Sequence, residues 1–317
     1  MQPMSLGNAQ LTFAKEVRSL SALTTTTPNA TLATHRSLQR LVKWCARNPT
    51  LAGQDSKVML DLTRCQSMDL GGLLLYMYAD RRVRDLGFAL WYRVRTRSPV
   101  YEFLQRHLES WRAGRGAFTV TGTTGTAFLL REITSPAVMV ADVTQWAAAV
   151  RAETGASRHD MARWEQTIAE VVMNAAHHGG NGPDDDPVLV CGDLAGDVME
   201  FAVLDLGQGI PNTIAKVAPP EVGQRAGRLI RYACQPGITC KSRRSNQGHG
   251  LASLVTAVQS SRGTLQVLSH NALAHIPPPA SSARTSRLYG RTLQPDSNGA
   301  PTLRGTLTLI RHRIGTP

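Results

Sequence analysis

The sequence predicts an α/β protein built from two domains. Short strand-like runs alternate with stretches of helical period in both halves of the chain, the order that produces α/β layers. A length of 317 residues is enough for two separate cores. Between the halves, residues 112–126 read RAGRGAFTVTGTTGT, a Gly- and Thr-rich stretch suited to a boundary. The domains are therefore placed at 1–116 and 117–317.

In the first domain, residues 1–30 hold one short apolar stretch, LTFAKEV, and a loop-like TTTTPN segment. Leu38, Leu41, Val42 and Cys45 share one helical face within residues 31–48. Gly53 and Asp55 mark a turn before KVMLDL (57–62), a buried-strand pattern. A helix is expected from Leu70 to about Leu86, then the alternating strand FALWYRV. Residues 98–111, SPVYEFLQRHLESW, predict a helix with Ser98 as N-cap and Pro99 in its first turn.

In the second domain, AFLLREI predicts a strand, and a helix follows from about Val138 to Glu153. WEQTIAEVVMNAAHHGGNG (164–182) reads as a helix running into a glycine loop. PVLVCGDLAGDVMEFAVLDLG reads as two strands, with a turn between Gly192 and Asp197. GTLQVLS is a strand, and the chain closes on TLRGTLTLIRHRI, another strand. The Pro/Ser-rich tract HIPPPASSARTSRLYGRTLQPDSNGAP between them reads as a loop.

Composition narrows the function classes. No apolar run approaches the ~20 residues needed to cross a bilayer, so membrane insertion is not expected. The N-terminal stretch shows no secretory h-region. Five cysteines, with no C-x-x-C, suggest neither a disulfide framework nor a zinc site, and a reducing cytoplasm is the simplest compartment. The net charge of +12 is uneven. Residues 1–135 carry 18 Lys and Arg against 9 Asp and Glu, leaving +9; the remainder carries 17 against 14, leaving +3. The basic half could attract nucleic acid, an anionic surface or an acidic protein, or could simply solubilise the chain.

The chemistry-bearing residues gather in three stretches. In 164–182, Trp164, Ile168, Val171, Val172 and Ala175 form an apolar face, and Glu170, Asn174 and His178 follow one another at four-residue spacing beside it. Alone, that stripe reads as the solvated side of a core helix. FAVLDLGQGIP (201–211) then places Asp205 at a strand end, followed by Gly207, Gly209 and Ile210. A carboxylate there can accept a hydrogen bond from an exocyclic amine, and the glycines let backbone approach a flat ring or a phosphate. SNQGHGLASLVTAV (245–258) brings Gly248, His249, Gly250 and Leu251 to a loop opening a helix, where free N–H groups and the helix dipole favour anions.

The ordered set E-x3-N-x3-H, D-x-G-x-G-I and G-x-G-L resembles the GHKL superfamily of ATP-binding domains, which includes type II topoisomerases, histidine kinases and anti-sigma kinases. The resemblance covers about the last two hundred residues. It implies a Bergerat fold, an α/β sandwich with helices on one face of a mixed sheet, and ATP and Mg²⁺ as cofactors. It further implies that Asn174 binds Mg²⁺ through the ATP phosphates and that Glu170 is the catalytic group, holding or activating a water. Asp205 would meet the adenine amine, Gly207, Gly209 and Ile210 would line the base, and Thr306 would lie near it. Gly248, His249, Gly250 and Leu251 would close the phosphate loop, with His178 a further binding position. Residues 212–247 would form a lid. Within it Thr239, Lys241, Arg243 and Arg244 precede the glycine loop, either to neutralise a triphosphate or as a solvated basic segment.

The N-terminal run VMLDLTRCQSMDLGGLLLYM resembles the STAS domain of anti-sigma-factor antagonists. There the loop commonly reads D-S-S-G with its second serine phosphorylated. Here it reads Asp69-Leu70-Gly71-Gly72, so the phosphoacceptor position is Gly71, without a hydroxyl. The resemblance implies a docking domain that has lost that switch.

Together these readings predict an ATP·Mg²⁺-binding regulatory protein, an ATPase switch whose lid controls association with a protein partner or a second copy. Two alternatives stay open: an anti-sigma-like protein serine/threonine kinase, and a nucleic-acid-binding regulator gated by ATP.

Overall fold

Alternating burial in short strands and three-to-four spacing in helices organise two compact units, Met1–Ala113 and Gly114–Pro317. The computed structural model describes residues 38, 41–52, 56–63, 65, 67–114, 119–121, 126–133, 136–179, 188–238, 250–277, 287–292 and 303–314.

In the N-terminal unit, Leu41 and Cys45 are buried on a helical run over 41–47. Strand β1 (Lys57–Asp61) pairs in parallel with β2 (Ala89–Arg93), and helix α1 (Leu70–Asp85) is the crossover between them. Such a crossover is what parallel pairing requires. Val58, Leu60 and Leu90 are buried, while Lys57 and Trp91 are exposed. Asp69 caps α1, its Oδ1 accepting from Gly72 N at 2.8 Å. Helix α2 (Pro99–Gly114) opens as its sequence predicts: Ser98 Oγ accepts from Tyr101 N at 3.2 Å, and Pro99 occupies the first turn.

The C-terminal unit is an eight-stranded sheet in the order β3-β4-β5-β6-β10-β7-β8-β9. Its strands are β3 (Thr119–Thr121), β4 (Thr126–Ile133), β5 (Val188–Ala195), β6 (Val198–Asp205), β7 (Thr264–His270), β8 (Ala272–Ile276), β9 (Tyr289–Thr292) and β10 (Leu303–Arg313). Both pairing types occur in the molecule, in separate sheets: every neighbouring pair in this one is antiparallel, and the parallel pair is β1–β2. Five helices accompany the sheet among the described residues: α3 (Pro136–Thr154), α4 (Arg158–Gly179), α5 (Gly209–Ile214), α6 (Ala226–Ala233) and α7 (Gly250–Ser260).

The core lies between the sheet and α3, α4 and α7. Trp146 and Val150 from α3, Trp164, Ile168 and Val172 from α4, and Leu254 and Val258 from α7 pack onto Val190, Phe201, Val203, Val267 and Ile310. Each of these large side chains gains about 1.5–3 kcal/mol from leaving water. The strand register sorts the faces: Phe201 and Val203 point to the helices, whereas Ala202 and Leu204 point away and are also buried.

Four stretches fold differently from the expectation. The tract after His275, read as a loop, contains β9, which pairs with β8; four residues including a glycine carry too little pattern to reveal a strand. Part of the expected lid is α6, whose Ile230 enters the main core and whose Leu229 and Ala233 cluster with Ile214. The turn between β5 and β6 is Gly196–Asp197, so Gly192 stays inside β5. The Gly/Thr-rich boundary stretch supplies β3, which pairs with β4. Residues 239–249, with Thr239, Lys241, Gly248 and His249, lie outside the described residues.

Candidate functional site

Helix α4 presents two polar groups one turn apart. Its Trp164, Ile168, Val171, Val172 and Ala175 are buried, which leaves Glu170 and Asn174 half-buried at the margin of that face. Glu170 Oε2 is shielded from solvent and has no hydrogen-bond partner among the described residues. A buried oxygen without a partner costs about 1–3 kcal/mol, a cost that a donor brought by a ligand or a water would remove. His178 falls in the last turn of α4, but its side chain is outside the described residues. Helix α4 packs against β6 and against α7, which Gly250 opens. Leu251 on α7 and Ile210 on α5 are half-buried and touch both the main core and the small cluster around Leu229.

At the ends of three neighbouring strands stands a row of polar side chains facing the helices. Asp205 ends β6 and pairs in register with Thr306 of β10, which pairs with Ser269 of β7. All three are buried. Asp205 Oδ1 accepts from Gly207 N at 3.0 Å. Burial pushes the Asp205 carboxyl up to about 7, and hydrogen bonds with the backbone of Gly207 and Thr306 pull part of that back.

Two glycines make the corner sterically possible. Gly305 has φ +95°, and a Cβ there would overlap the backbone carbonyl of Asp205. It lies at a register shift between Leu303 and Thr306, a bulge that brings β10 hard against the end of β6. Gly209 has φ +74°, and a Cβ there would come within 2.7 Å of His270 Cδ2 and 2.8 Å of Ser269 Oγ.

Ser269 ties these pieces together. Its Oγ accepts from Ile210 N at 3.0 Å, donates to Gly305 O at 2.8 Å and stands 3.1 Å from Thr306 Oγ1. His270 Nε2 donates to Gln208 O at 2.8 Å, fixing the tautomer because a carbonyl can only accept. Residues 134–265 match the family model of the histidine kinase-like ATPase domain. The C-terminal unit carries a histidine kinase-like ATPase domain. No curated protein matches the chain.

The matched residues lie within the C-terminal unit, which is where the resemblance to this type of ATPase domain resides. The matched stretch contains Glu170, Asn174, Asp205, Gly207, Gly209, Ile210, Gly250 and Leu251, and ends before Ser269 and Thr306. Strand register places those two beside Asp205 in the same sheet. Ser269, Gly305 and Gln208 are not singled out by the sequence, and His270 shows there only as one of several scattered histidines without metal-ligand spacing. Gly305 directly precedes Thr306 and was recoverable; Ser269 shows only as a polar residue ending the strand GTLQVLS.

Proposed function

We propose that this protein binds ATP with Mg²⁺ in the C-terminal unit and acts as an ATPase switch that governs association with a protein partner or a second copy. The observation that carries the reading is the buried Asp205 carboxylate beside Thr306, at the end of a strand against which α4 packs with Glu170 and Asn174. A desolvated carboxylate held by backbone N–H groups is a costly acceptor to maintain, and an exocyclic amine hydrogen would satisfy it.

The residues fit the phosphate end as well. The partnerless Glu170 Oε2 is suited to holding a water or hydroxyl and accepting its proton. Asn174 makes no side-chain hydrogen bond among the described residues, and its amide oxygen would complete a Mg²⁺ shell supplied mainly by phosphates and water. Mg²⁺, when bound, supplies neutralisation of phosphate charge. Gly250 opens α7, whose first N–H groups have no intrahelical acceptor and favour an anion. His249, Gly248, Lys241 and Thr239 precede that helix in sequence and would close over the phosphates. The N-terminal unit, read as STAS-like, would serve as the docking partner's surface.

Incubation of the full chain with γ-labelled ATP and Mg²⁺ separates the outcomes. The switch reading expects free phosphate, released more slowly by Glu170→Ala. Label transferred to a serine or threonine of a partner would make the protein a kinase instead. Saturable binding with no release in the parent would leave a nucleotide-gated binder and remove Glu170 from catalysis.

A further inference from the structure

The row across β6, β10 and β7 carries more than a base-binding carboxylate, because its third member controls the second. Ser269 is fully buried, and all three of its hydrogen-bonding positions are engaged. A serine hydroxyl has one proton and two lone pairs. One lone pair takes the Ile210 N–H. The proton goes to the carbonyl of Gly305, which can only accept and which the bulge removes from the regular β7–β10 register. What remains toward Thr306 Oγ1 is a lone pair, so across that 3.1 Å contact Thr306 must be the donor.

Thr306 also has a single proton, and Ser269 receives it. Its hydroxyl therefore offers only lone pairs to anything that enters beside Asp205. Once the Asp205 carboxyl is ionised, above about pH 7, it and the neighbouring Thr306 hydroxyl present acceptors and no donor. A purine with an amine at its six position brings hydrogens to such a corner. A purine with a carbonyl at that position brings an oxygen that meets acceptors alone, and unpaired buried polar groups are what gives strong discrimination.

Resting on the adenine-binding reading above, we propose that Ser269 is a specificity-determining residue that sets the hydrogen-bond polarity of Thr306 and so makes the corner accept 6-amino purines and reject 6-oxo purines. It touches no ligand in this account; it positions the proton of the residue that does. The same bonds hold Gly305 and the start of α5 in place, so a purely structural contribution must be separated from a polarity contribution. A structural loss weakens every nucleotide together. A polarity loss changes the ratio between them.

The test is calorimetric binding of ATP and of inosine triphosphate, both with Mg²⁺, to the full chain at pH 8, where the Asp205 carboxyl is ionised. The parent should prefer ATP by on the order of a hundredfold. In Ser269→Ala the Thr306 hydroxyl can turn and donate, and the preference should fall about tenfold. Ser269→Cys, of similar volume and a weak hydrogen-bonding partner, should fall in the same direction and serves if the alanine variant does not fold. Thr306→Val, which removes the acceptor without touching Ser269, should also lower the preference and carries the test if neither serine variant folds. A preference that stays within twofold of the parent's in a folded variant, with ATP affinity still lost in Asp205→Asn, overturns the role of Ser269. A parent that does not discriminate overturns it too. ATP binding that is indifferent to Asp205→Asn instead removes the base from this corner, and the inference fails with the reading on which it rests.

Discussion

Asp205→Asn should weaken ligand binding while making the ligand-free protein more stable. The folded carboxyl holds its proton to about 7, whereas an unfolded aspartate releases it near 3.8. Between those pH values the folded state carries one proton more than the unfolded state, so stability falls as pH rises. The stabilising contribution of the protonated carboxyl is complete below 3.8 and gone above about 7. Three pH units at ~1.36 kcal/mol each set an upper limit of about 4 kcal/mol on the cost of the ionised group. Asparagine cannot ionise, and its Oδ1 can still accept from Gly207 N. Its buried N–H groups give back about 1–3 kcal/mol if they lack acceptors, which leaves a net gain of about 1–3 kcal/mol at pH 8. Urea unfolding of parent and variant at pH 5 and pH 8 measures it; the two units can unfold in separate transitions, and only one should shift. The stability difference should widen in the variant's favour between pH 5 and pH 8. Adenosine, which has no phosphates to titrate, should bind the variant about ten- to a hundredfold more weakly at pH 8. A stability difference that does not change with pH would refute the account of Asp205.

Other expectations follow from neighbouring residues. Asn174→Ala should weaken Mg²⁺-dependent ATP binding measured by calorimetry, while Glu170→Ala should leave affinity intact and slow phosphate release by on the order of 10²–10⁴-fold. Gly305→Ala should cost at least about 1–3 kcal/mol in urea unfolding and abolish nucleotide binding, because the φ is left-handed and the new methyl would overlap the Asp205 carbonyl. Gly71, buried in the first turn of α1, has no hydroxyl, so intact-mass spectrometry after incubation with ATP and Mg²⁺ should find no stoichiometric phosphate on residues 55–116.

Much of the fold is legible in the chain because its long elements repeat a single period. Helix α4 shows five apolar positions at three- and four-residue spacing, and β5, β6, β7 and β10 are dense in β-branched and aliphatic side chains. The short elements are not legible in that way. β9 offers YGRT, with no alternation of its own, and α6 is only eight residues long. The candidate site divides similarly. Glu170 and Asn174 lie on one helix, and Asp205 precedes its own glycines, so their relation is local and visible. Ser269 is 37 residues from Thr306 and 59 from Ile210; the pairing of β7 with β10 and the packing of α5 on both strands bring the three together. Antiparallel register is a tertiary fact, and a serine at a strand end gives no local sign of the partners it will meet.

The central claim is that the corner formed by Asp205 and Thr306 holds the base of ATP. Its most direct measurement is the amide hydrogen exchange of the full chain with and without ATP and Mg²⁺, read at peptides covering 199–214 and 303–313. Binding at the proposed site should slow exchange in both peptides together, and Asp205→Asn should remove the effect in both. Protection confined to other segments, or protection of these two that survives Asp205→Asn, would contradict the account.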